Sequence, residues 1–435
     1  MTVNRELAPY EQMPETMNRL NGSSNITVIS RIQGYLNEDL LKQALTLIQQ
    51  LHPFLNSRII AAGDSLRFES KEVEPIPLRV IEDSQQQWQE IAREEINQVI
   101  ESSKVLARVV LLRHQGENTT NYLLTTIHHG IADALSSLQL QSQILDYYHK
   151  IDTDQLITPV ATLPEIPPLQ ELVPESIKKS FQEHQSSSNS QPLLTMEFET
   201  LGYEKLVPRE LRSCGMLHRQ INEESTQRLL DTCRQEKTTV HGALCAAMLL
   251  AAAKKISAGK KKEVRVNCMS PVNLRPFLQP AMGDDHLASI VSCVISSHKI
   301  DVNQLFWNLA REVKQEIENG IKGGDIFSVL FRMDIDAIMT TPDQPLATVA
   351  VTNLGQVNIP RNYGSLKLEE IHFVAGTATL GDQLFCTVTT FEGRMFLNFP
   401  FSQPTLSPQT MEIIVDHALS YLNDASQGNK VIFDF

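Results

Sequence analysis

The sequence lacks the marks of a secreted, disulfide-stabilised protein. Its six cysteines begin at Cys214 and include no CxxC pair, whereas disulfide frameworks belong mainly to short secreted chains. The opening residues, MTVNRELAPYEQMPE, carry acidic side chains early and contain no apolar stretch, so they do not resemble a signal peptide. We therefore expect a reduced, cytoplasmic protein.

Basic charge and long apolar runs are also scarce. Lys and Arg total 38 against 51 Asp and Glu, which gives a formal net charge of −13. Nucleic-acid affinity depends on clustered Lys and Arg, so we expect no nucleic-acid partner. The longest apolar stretch, residues 240–253, contains a histidine and is too short to span a bilayer. It predicts a buried core helix, and we expect no membrane span.

What is present indicates a globular chain with two domains. Its 435 residues are 42% hydrophobic and 20% charged, which is typical of folded proteins and long for one domain. Residues 159–194 are rich in Pro, Ser and Gln, a composition that favours a linker over a packed core. We predict an N-terminal half over 1–158, a linker or crossover over 159–200, and a C-terminal half over 201–435.

Strand and helix patterns alternate in both halves. Asn37, followed by two acidic residues and an apolar stripe over 40–51, predicts a helix that begins at an N-cap. Mixed patterns of this kind predict an α/β architecture of two or three layers. The other predicted helices are 135–148, 171–183, 223–236, 240–255, 303–317, 325–339 and 407–422; the predicted strands are 25–32, a hairpin over 58–68, 105–113, 122–127, 263–269, 289–300, 347–352, 370–374, 384–391 and 394–399.

One segment, YLLTTIHHGIADA at residues 122–134, has a pattern suited to chemistry. Adjacent strand residues point to opposite faces, so His128 and His129 are expected to have different roles. Asp133 either caps the next helix or is a buried carboxylate that requires a cationic partner. A lone strand histidine is usually a core residue, and adjacent histidines with no suitably spaced cysteines disfavour a metal site. We expect no metal.

The residues HHGIADA resemble the HHxxxDG signature of the chloramphenicol acetyltransferase-like acyltransferases. This superfamily includes condensation domains, plant acyltransferases, alcohol acetyltransferases and mycobacterial polyketide-associated acyltransferases. Ala134 replaces the closing glycine of the signature, and the DFGWG element of the plant branch is absent. Three further segments resemble family elements in the expected order: LHPFL at 51–55, VNLRP at 272–276 and TNLG at 352–355.

The resemblance implies a fold of two chloramphenicol-acetyltransferase-like subdomains, each a mixed sheet with helices, and an active-site tunnel at their interface. It implies that His129 is the general base, that His128 is structural, and that Asp133 pairs with Arg275. Thr352 and Asn353 would be oxyanion or substrate-binding donors, and a simple turn at a polar strand end is an equal alternative for them.

The implied reaction uses no permanently bound cofactor. The co-substrate would be an acyl-coenzyme A or an acyl-phosphopantetheine on a separate acyl carrier protein, and the acceptor would be an alcohol or, second, an amine. One alternative is a free-standing condensation enzyme that joins carrier-bound substrates through an amide bond. Another is a non-catalytic protein of the same fold that binds acyl chains or docks onto a synthase.

Three weaker signals have ordinary structural explanations. The string GDSL at 63–66 lies in the predicted hairpin turn, where Gly and Asp are common. The lysines between 254 and 262 could meet coenzyme A phosphates or an acidic carrier protein, but such a run is more often a solvated loop. His241 and His417 are predicted to be structural.

Overall fold

The chain forms two compact units, each built from more than one segment. The computed structural model describes residues 3–82, 87–114, 120–155, 161–186, 197–332, 343 and 345–433. The first unit comprises Met1–Leu172, Arg275–Ile290 and Val357–Gly376, and the remaining residues form the second. Elements are numbered below in chain order.

The first unit is a mixed α/β unit with a sheet in the strand order β12-β13-β2-β7-β6-β5 and a small sheet in the order β1-β4-β3. Only β5 and β6 pair in parallel in the larger sheet. Its strands are β1 (Asn4–Glu6), β2 (Ile26–Gln33), β3 (Arg58–Ala62), β4 (Ser65–Glu69), β5 (Leu78–Glu82), β6 (Ala107–His114), β7 (Thr120–Ile127), β12 (Asn362–Tyr363) and β13 (Leu366–Ala375). Its helices are α1 (Pro9–Arg19), α2 (Glu38–Leu51), α3 (Trp88–Asn97), α4 (Ala134–Asp152) and α5 (Leu169–Leu172).

Local signals placed much of this unit correctly. Asn37 is the N-cap of α2, and its side-chain oxygen accepts hydrogen bonds from the N–H groups of Asp39 and Leu40 at 2.8 and 3.2 Å. β3 and β4 form the predicted hairpin, and Gly63 in its turn has a φ of +65°. The GDSL string is therefore part of a turn rather than the start of a helix.

The unit boundary differs from the one predicted, because β13 pairs with β2. Ile371 lies opposite Ser30 in this antiparallel ladder, which brings residues 357–376 into the sheet of the first unit. Residues 275–290, between β9 (Glu263–Asn273) and β10 (Val291–Asp301), also belong to the first unit.

The second unit has a sheet in the order β10-β9-β11-β14-β15-β8, in which β11 runs parallel to both neighbours. Two mixed sheets with helices confirm the predicted α/β class; the tunnel between the halves stays a prediction. Its other strands are β8 (Ser213–Ile221), β11 (Val349–Gln356), β14 (Leu384–Phe391) and β15 (Arg394–Gln403). Its helices are α6 (Glu175–Ser186), α7 (Glu223–Gln235), α8 (Val240–Ser257), α9 (Phe306–Gly323), α10 (Ser328–Arg332) and α11 (Pro408–Ser426).

α8 is the central helix of this unit. By length and composition alone it could cross a membrane, but 72% of it is buried within the protein, which confirms the predicted core helix. The helix predicted over 325–339 begins as a 3-10 turn at Asp325–Phe327 and continues as α10. Residues 333–339 of that prediction lie outside the described residues.

Candidate active site

Both motif histidines lie on the short loop between β7 and α4. Asp133 ends this loop as the N-cap of α4, and its Oδ1 accepts a hydrogen bond from the Ser136 N–H at 2.8 Å. The Ser136 hydroxyl in turn accepts from the Asp133 N–H at 3.1 Å. This reciprocal cap fixes where the helix begins, and so fixes one end of the histidine loop.

The structure brings Asp133 and Arg275 together as a buried, two-pronged ion pair. The Arg275 Nη1 and Nη2 atoms lie 2.7 and 3.3 Å from the two carboxylate oxygens of Asp133. Arg275 is only 2% exposed and Asp133 only 4%. The Ile290 N–H adds a third donor to Asp133 at 2.9 Å. These contacts tie the histidine loop to residues 275–290.

His128 is fully buried and braces the loop from the other side. The Gly130 N–H donates to His128 Nδ1 at 3.1 Å, so the ring's Nε2–H faces the Glu15 carboxylate at 2.9 Å. Glu15 also accepts from the Ser102 hydroxyl and from Arg19, at 2.8 and 2.7 Å. Burial by itself would raise the pKa of Glu15, but these hydrogen bonds outweigh it and lower the pKa.

Gly130 of the motif is required because the His128 ring lies close to its backbone. A Cβ atom at Gly130 would lie 2.9 Å from His128 Nδ1 and 3.0 Å from its Cε1. That approach is shorter than carbon and ring atoms normally tolerate, so any larger residue would displace His128. Ala134, in contrast, is the first residue of α4 and is accommodated there.

His129 is oriented through one ring nitrogen only. Its Nδ1–H donates to the Ala132 carbonyl at 2.8 Å, and the Ser289 hydroxyl lies 3.5 Å from the same nitrogen. Because the proton is held on Nδ1, Nε2 carries the lone pair. The residue as a whole is half-buried. A fixed tautomer with a basic Nε2 is the form that general-base catalysis requires.

The surroundings of His129 keep it neutral. Burial lowers the pKa of His129, and the hydrogen bond to Ala132 and the negative charge of Asp133 only partly oppose this. His129 is therefore unprotonated at neutral pH.

The lowered pKa of His129 predicts how kcat/KM changes at acidic pH. If His129 is the base, kcat/KM should fall on acidification, with a midpoint below about 6.5, the ordinary pKa of histidine. The measurement is kcat/KM for acyl transfer between pH 4.5 and 8, with the folded state checked by circular dichroism at each pH. An acid limb centred at or above about 6.5 would contradict the proposed role of this environment.

A small cleft lies beside the histidine loop. Its wall is mostly apolar, with Tyr10, Glu11 and Arg5 at its polar part. Arg5 donates to both carboxylate oxygens of Glu11 at 2.7 Å each, and the Tyr10 hydroxyl accepts from the Leu169 N–H at 3.1 Å. The lining residues are Arg5, Tyr10, Glu11, Phe54, Gly130, Ile131, Ile166, Pro167, Leu169, Ala288 and Ser289.

Sequence reasoning missed most of these residues. Glu15, Tyr10 and Glu11 lie on α1, which local patterns did not predict. Phe54 lies in the LHPFL segment at 51–55 that resembles a family element, and its ring packs under the Arg5 guanidinium, 5.3 Å from the ring centre. Its neighbour His52 is buried and pairs with the Gln143 side chain at 2.7 Å; burial lowers the pKa of His52 to about 4.

Thr352 and Asn353 lie on β11, in the second unit. Thr352 is opposite Thr387 of β14. The Asn353 side-chain oxygen accepts from the Gly355 N–H at 2.9 Å, and Gly355 has a φ of +67°. This contact lies within β11, where its pairing with β14 is irregular between Asn353 and Gln356, and the role of Asn353 toward an oxyanion stays a prediction.

No group of three or more His, Cys, Asp or Glu side chains suited to a metal ion occurs within the described part of the chain. The buried cationic partner that Asp133 requires is supplied by Arg275.

Comparison with protein families gives two matches, one in each half. Residues 13–167 match the condensation domain model, and residues 212–400 match the model of the phthiocerol/phthiodiolone dimycocerosyl transferase C-terminus. A stretch of 141 residues is 23% identical to FR901469 synthetase of Dothideomycetidae sp. (strain 11243). The match covers 32% of this chain and about 1% of the synthetase.

Solved structures share the fold over nearly the whole chain. Polyketide synthase associated protein 5 from Mycobacterium tuberculosis is 15% identical, with a TM-score of 0.69, and 98% of this chain and 99% of that chain are covered. TRI3 trichothecene 15-O-acetyltransferase from Fusarium sporotrichioides is 10% identical, with a TM-score of 0.77, and the match covers 98% of this chain and 95% of that chain. The condensation domain of the Monacolin K polyketide synthase is 11% identical, with a TM-score of 0.69, and the match covers 100% of this chain and 99% of that chain.

These matches confirm the resemblance first found in the motif residues. At such low identities the structures establish the fold, which is that of the chloramphenicol-acetyltransferase-like condensation domains. The two family matches, taken together, support an acyltransferase of the condensation type.

Proposed function

We propose that this condensation-type acyltransferase moves an acyl group from a thioester donor to an alcohol, with His129 as general base. The donor would be an acyl-coenzyme A or an acyl carrier protein. The observation that carries the proposal is the His129 ring, which is held through Nδ1 and presents a neutral Nε2.

The proposed reaction uses that geometry. His129 Nε2 takes the proton of the acceptor hydroxyl as its oxygen attacks the thioester carbonyl carbon. The tetrahedral oxyanion needs donors, and Thr352 and Asn353 are proposed for this role. When the intermediate collapses, the C–S bond breaks and the imidazolium returns its proton to the thiolate. The products are an ester and a free thiol, so no metal or redox partner is required.

Asp133 and Arg275 would act without touching the substrate. Their ion pair fixes the loop that carries His129, and His128 with Glu15 fixes the same loop from α1. A base must be held close to the productive position for efficient proton transfer. These four side chains are therefore proposed as positioning residues.

Part of a substrate is proposed to lie beside Ser289, because this residue lines the cleft and its hydroxyl is 3.5 Å from His129 Nδ1. Ser289→Phe should fill the cleft and raise KM for one substrate at least tenfold. Ser289→Ala should change kcat and KM less than about threefold, since the closer Ala132 carbonyl already holds the Nδ1 proton. Steady-state kinetics of both variants test this; equal KM values in the two would show that the cleft is not used.

The experiment that tests the function follows thiol release. The purified protein is incubated with acyl-coenzyme A of several chain lengths and a panel of alcohols and amines. Thiol release that depends on an alcohol supports the proposal, and mass spectrometry should identify the ester. Thiol release without an acceptor would indicate a thioesterase and overturn it.

A second candidate is supported by the condensation domain match over residues 13–167. In this reaction an amine attacks a carrier-bound acyl thioester, and an amide forms by the same use of His129. Turnover of carrier-bound donors with amines would favour this candidate over ester formation, provided that no acyl-coenzyme A reacts with any of the alcohols.

A further inference from the structure

The cleft beside the histidine loop is built entirely from residues of the first unit. Ser289 lines it, and the Ser289 hydroxyl lies 3.5 Å from His129 Nδ1. The carbon side chains of its wall are Phe54, Ile131, Ile166, Pro167, Leu169 and Ala288. A group that enters the cleft therefore lies next to the residue proposed as the base, against a wall that is largely carbon.

The polar groups of the wall are already hydrogen-bonded to one another. The Glu11 carboxylate accepts two hydrogen bonds from the Arg5 guanidinium and one from the Ala8 N–H. It also accepts from the Tyr10 hydroxyl at 3.3 Å, and a carboxylate has about four acceptor positions. The Tyr10 oxygen in turn accepts from the Leu169 N–H. Because these groups have little left to offer a polar occupant, the cleft suits a hydrocarbon chain better than a polar acceptor.

The cleft is also narrow. Ile131 and Leu169 are each only 1% exposed, and Phe54 is 5% exposed, whereas a wide channel would leave the side chains of its wall accessible. The space has room for little more than one water-sized group. A long chain would have to break the hydrogen bond between Tyr10 and Leu169 or displace the Phe54 ring. Both changes are costly in a buried setting.

Two neighbours hold the Phe54 ring in place. The Arg5 guanidinium lies over both Phe54 and Phe68, at 5.3 and 5.2 Å from the ring centres. The two rings meet edge to face with their centres 5.1 Å apart, which is a favourable geometry for an aromatic pair. Phe68 lies on β4 and is fully buried, but within the described chain it is not one of the residues that line the cleft. Phe54 is therefore a firmly held part of the wall.

We propose that the cleft receives the acyl chain of the thioester donor, that it admits only a short chain such as acetyl or propionyl, and that Phe54 limits the length. The inference rests on the proposed acyl transfer and deepens it by naming the class of donor. Additional methylene groups in a closely packed space force neighbouring atoms apart. One methylene changes kcat/KM by about 10- to 200-fold where a pocket discriminates by size.

The chain-length preference of two matched variants tests the role of Phe54. The donors are acetyl-, butyryl- and octanoyl-pantetheine, because coenzyme A and carrier proteins both present the acyl group on this arm. The wild type should use acetyl-pantetheine at least about tenfold better than octanoyl-pantetheine, by kcat/KM. Phe54→Ala removes a ring from the wall and should lower this ratio at least about tenfold. Phe68→Ala removes the same ring from outside the wall and should keep the ratio within about threefold of the wild type.

Melting temperatures control for folding, and both variants should melt lower because each loses a buried ring. A gain of activity toward octanoyl-pantetheine is not a result that partial unfolding produces. If Phe54→Ala does not fold, Phe54→Leu takes its place with a smaller expected change. The inference would be overturned by a wild type that prefers octanoyl-pantetheine, by a ratio that the substitution of Phe54 leaves unchanged, or by equal changes in the Phe54 and Phe68 variants. Acyl transfer itself would stand in each of these cases.

Calorimetry without an acceptor separates this inference from the proposed reaction. The same thioesters are titrated into the wild type and both variants, with pantetheine as the reference. The acetyl group should raise the affinity above that of pantetheine in the wild type, and the octanoyl group should do so only in Phe54→Ala. If this pattern appears in a protein that transfers no acyl group, the proposed function fails and the inference stands. If the wild type and Phe54→Ala bind the thioesters alike, the inference fails whether or not transfer occurs.

Discussion

Replacing His129 with alanine should lower kcat for acyl transfer by about 100- to 10,000-fold, the range that general-base catalysis contributes. The physical reason is that Nε2 is the basic nitrogen of a ring held by the Ala132 carbonyl, and no water can be placed there with equal precision. KM should change much less, because proton removal occurs only in the transition state. Initial rates of thiol release with a fixed donor and acceptor measure the effect.

The variant needs a control for folding and a control for histidine loss in general. His129→Ala should melt close to the wild type, since the residue is only half-buried and the loop is held by His128 and Asp133. His417→Ala, on α11 of the second unit, should retain full activity. Full activity in His129→Ala would show that another group is the base, and equal losses in both variants would indicate a general effect on folding.

The motif residues could be predicted from the sequence because their chemistry is local or strongly constrained. Asp133 had to cap a helix or find a cation, and the resemblance to the acyltransferase family pointed to Arg275 as that cation. The structure pairs them across 142 residues. The buried position of α8 was equally predictable, since its apolar length leaves few other places for it.

Residues held by distant pairing could not be predicted. α1 begins at Pro9 and has Pro14 inside it, and its N-cap, Ala8, has no side-chain cap; its start is instead held by the Glu11 carboxylate, which accepts from the Ala8 N–H at 2.7 Å. Such tertiary support has no local signal. With α1 missed, Glu15 and the cleft residues of the same helix were missed as well.

The same limit explains the unit boundary. β13 was recognised as a strand from its own residues, but its partner β2 lies more than 300 positions earlier in the sequence. Only the ladder of hydrogen bonds assigns it to the first unit. Local composition identifies a linker but does not reveal which strand returns to an earlier sheet.

Breaking the Asp133–Arg275 pair should have the largest effect on stability. Arg275→Met should lower the free energy of unfolding by about 3–5 kcal/mol, because it leaves a buried carboxylate without its cation. Asp133→Asn should cost a similar amount, since Arg275 then becomes the unpaired buried charge. Asn is a good N-cap, so this variant preserves the start of α4 and isolates the effect of the charge. Urea unfolding at pH 7 measures both.

The double variant Asp133→Asn/Arg275→Met distinguishes an ion pair from two independent contacts. With both charges removed, it should be more stable than either single variant, so the interaction free energy of the cycle should be at least about 1.5 kcal/mol. Additive losses would contradict a direct pair. Activity should not follow stability in this cycle: the double variant should still have a reduced kcat, because the histidine loop has lost the two hydrogen bonds from the Arg275 guanidinium to Asp133. A double variant with wild-type kcat would show that the pair stabilises the fold without positioning His129.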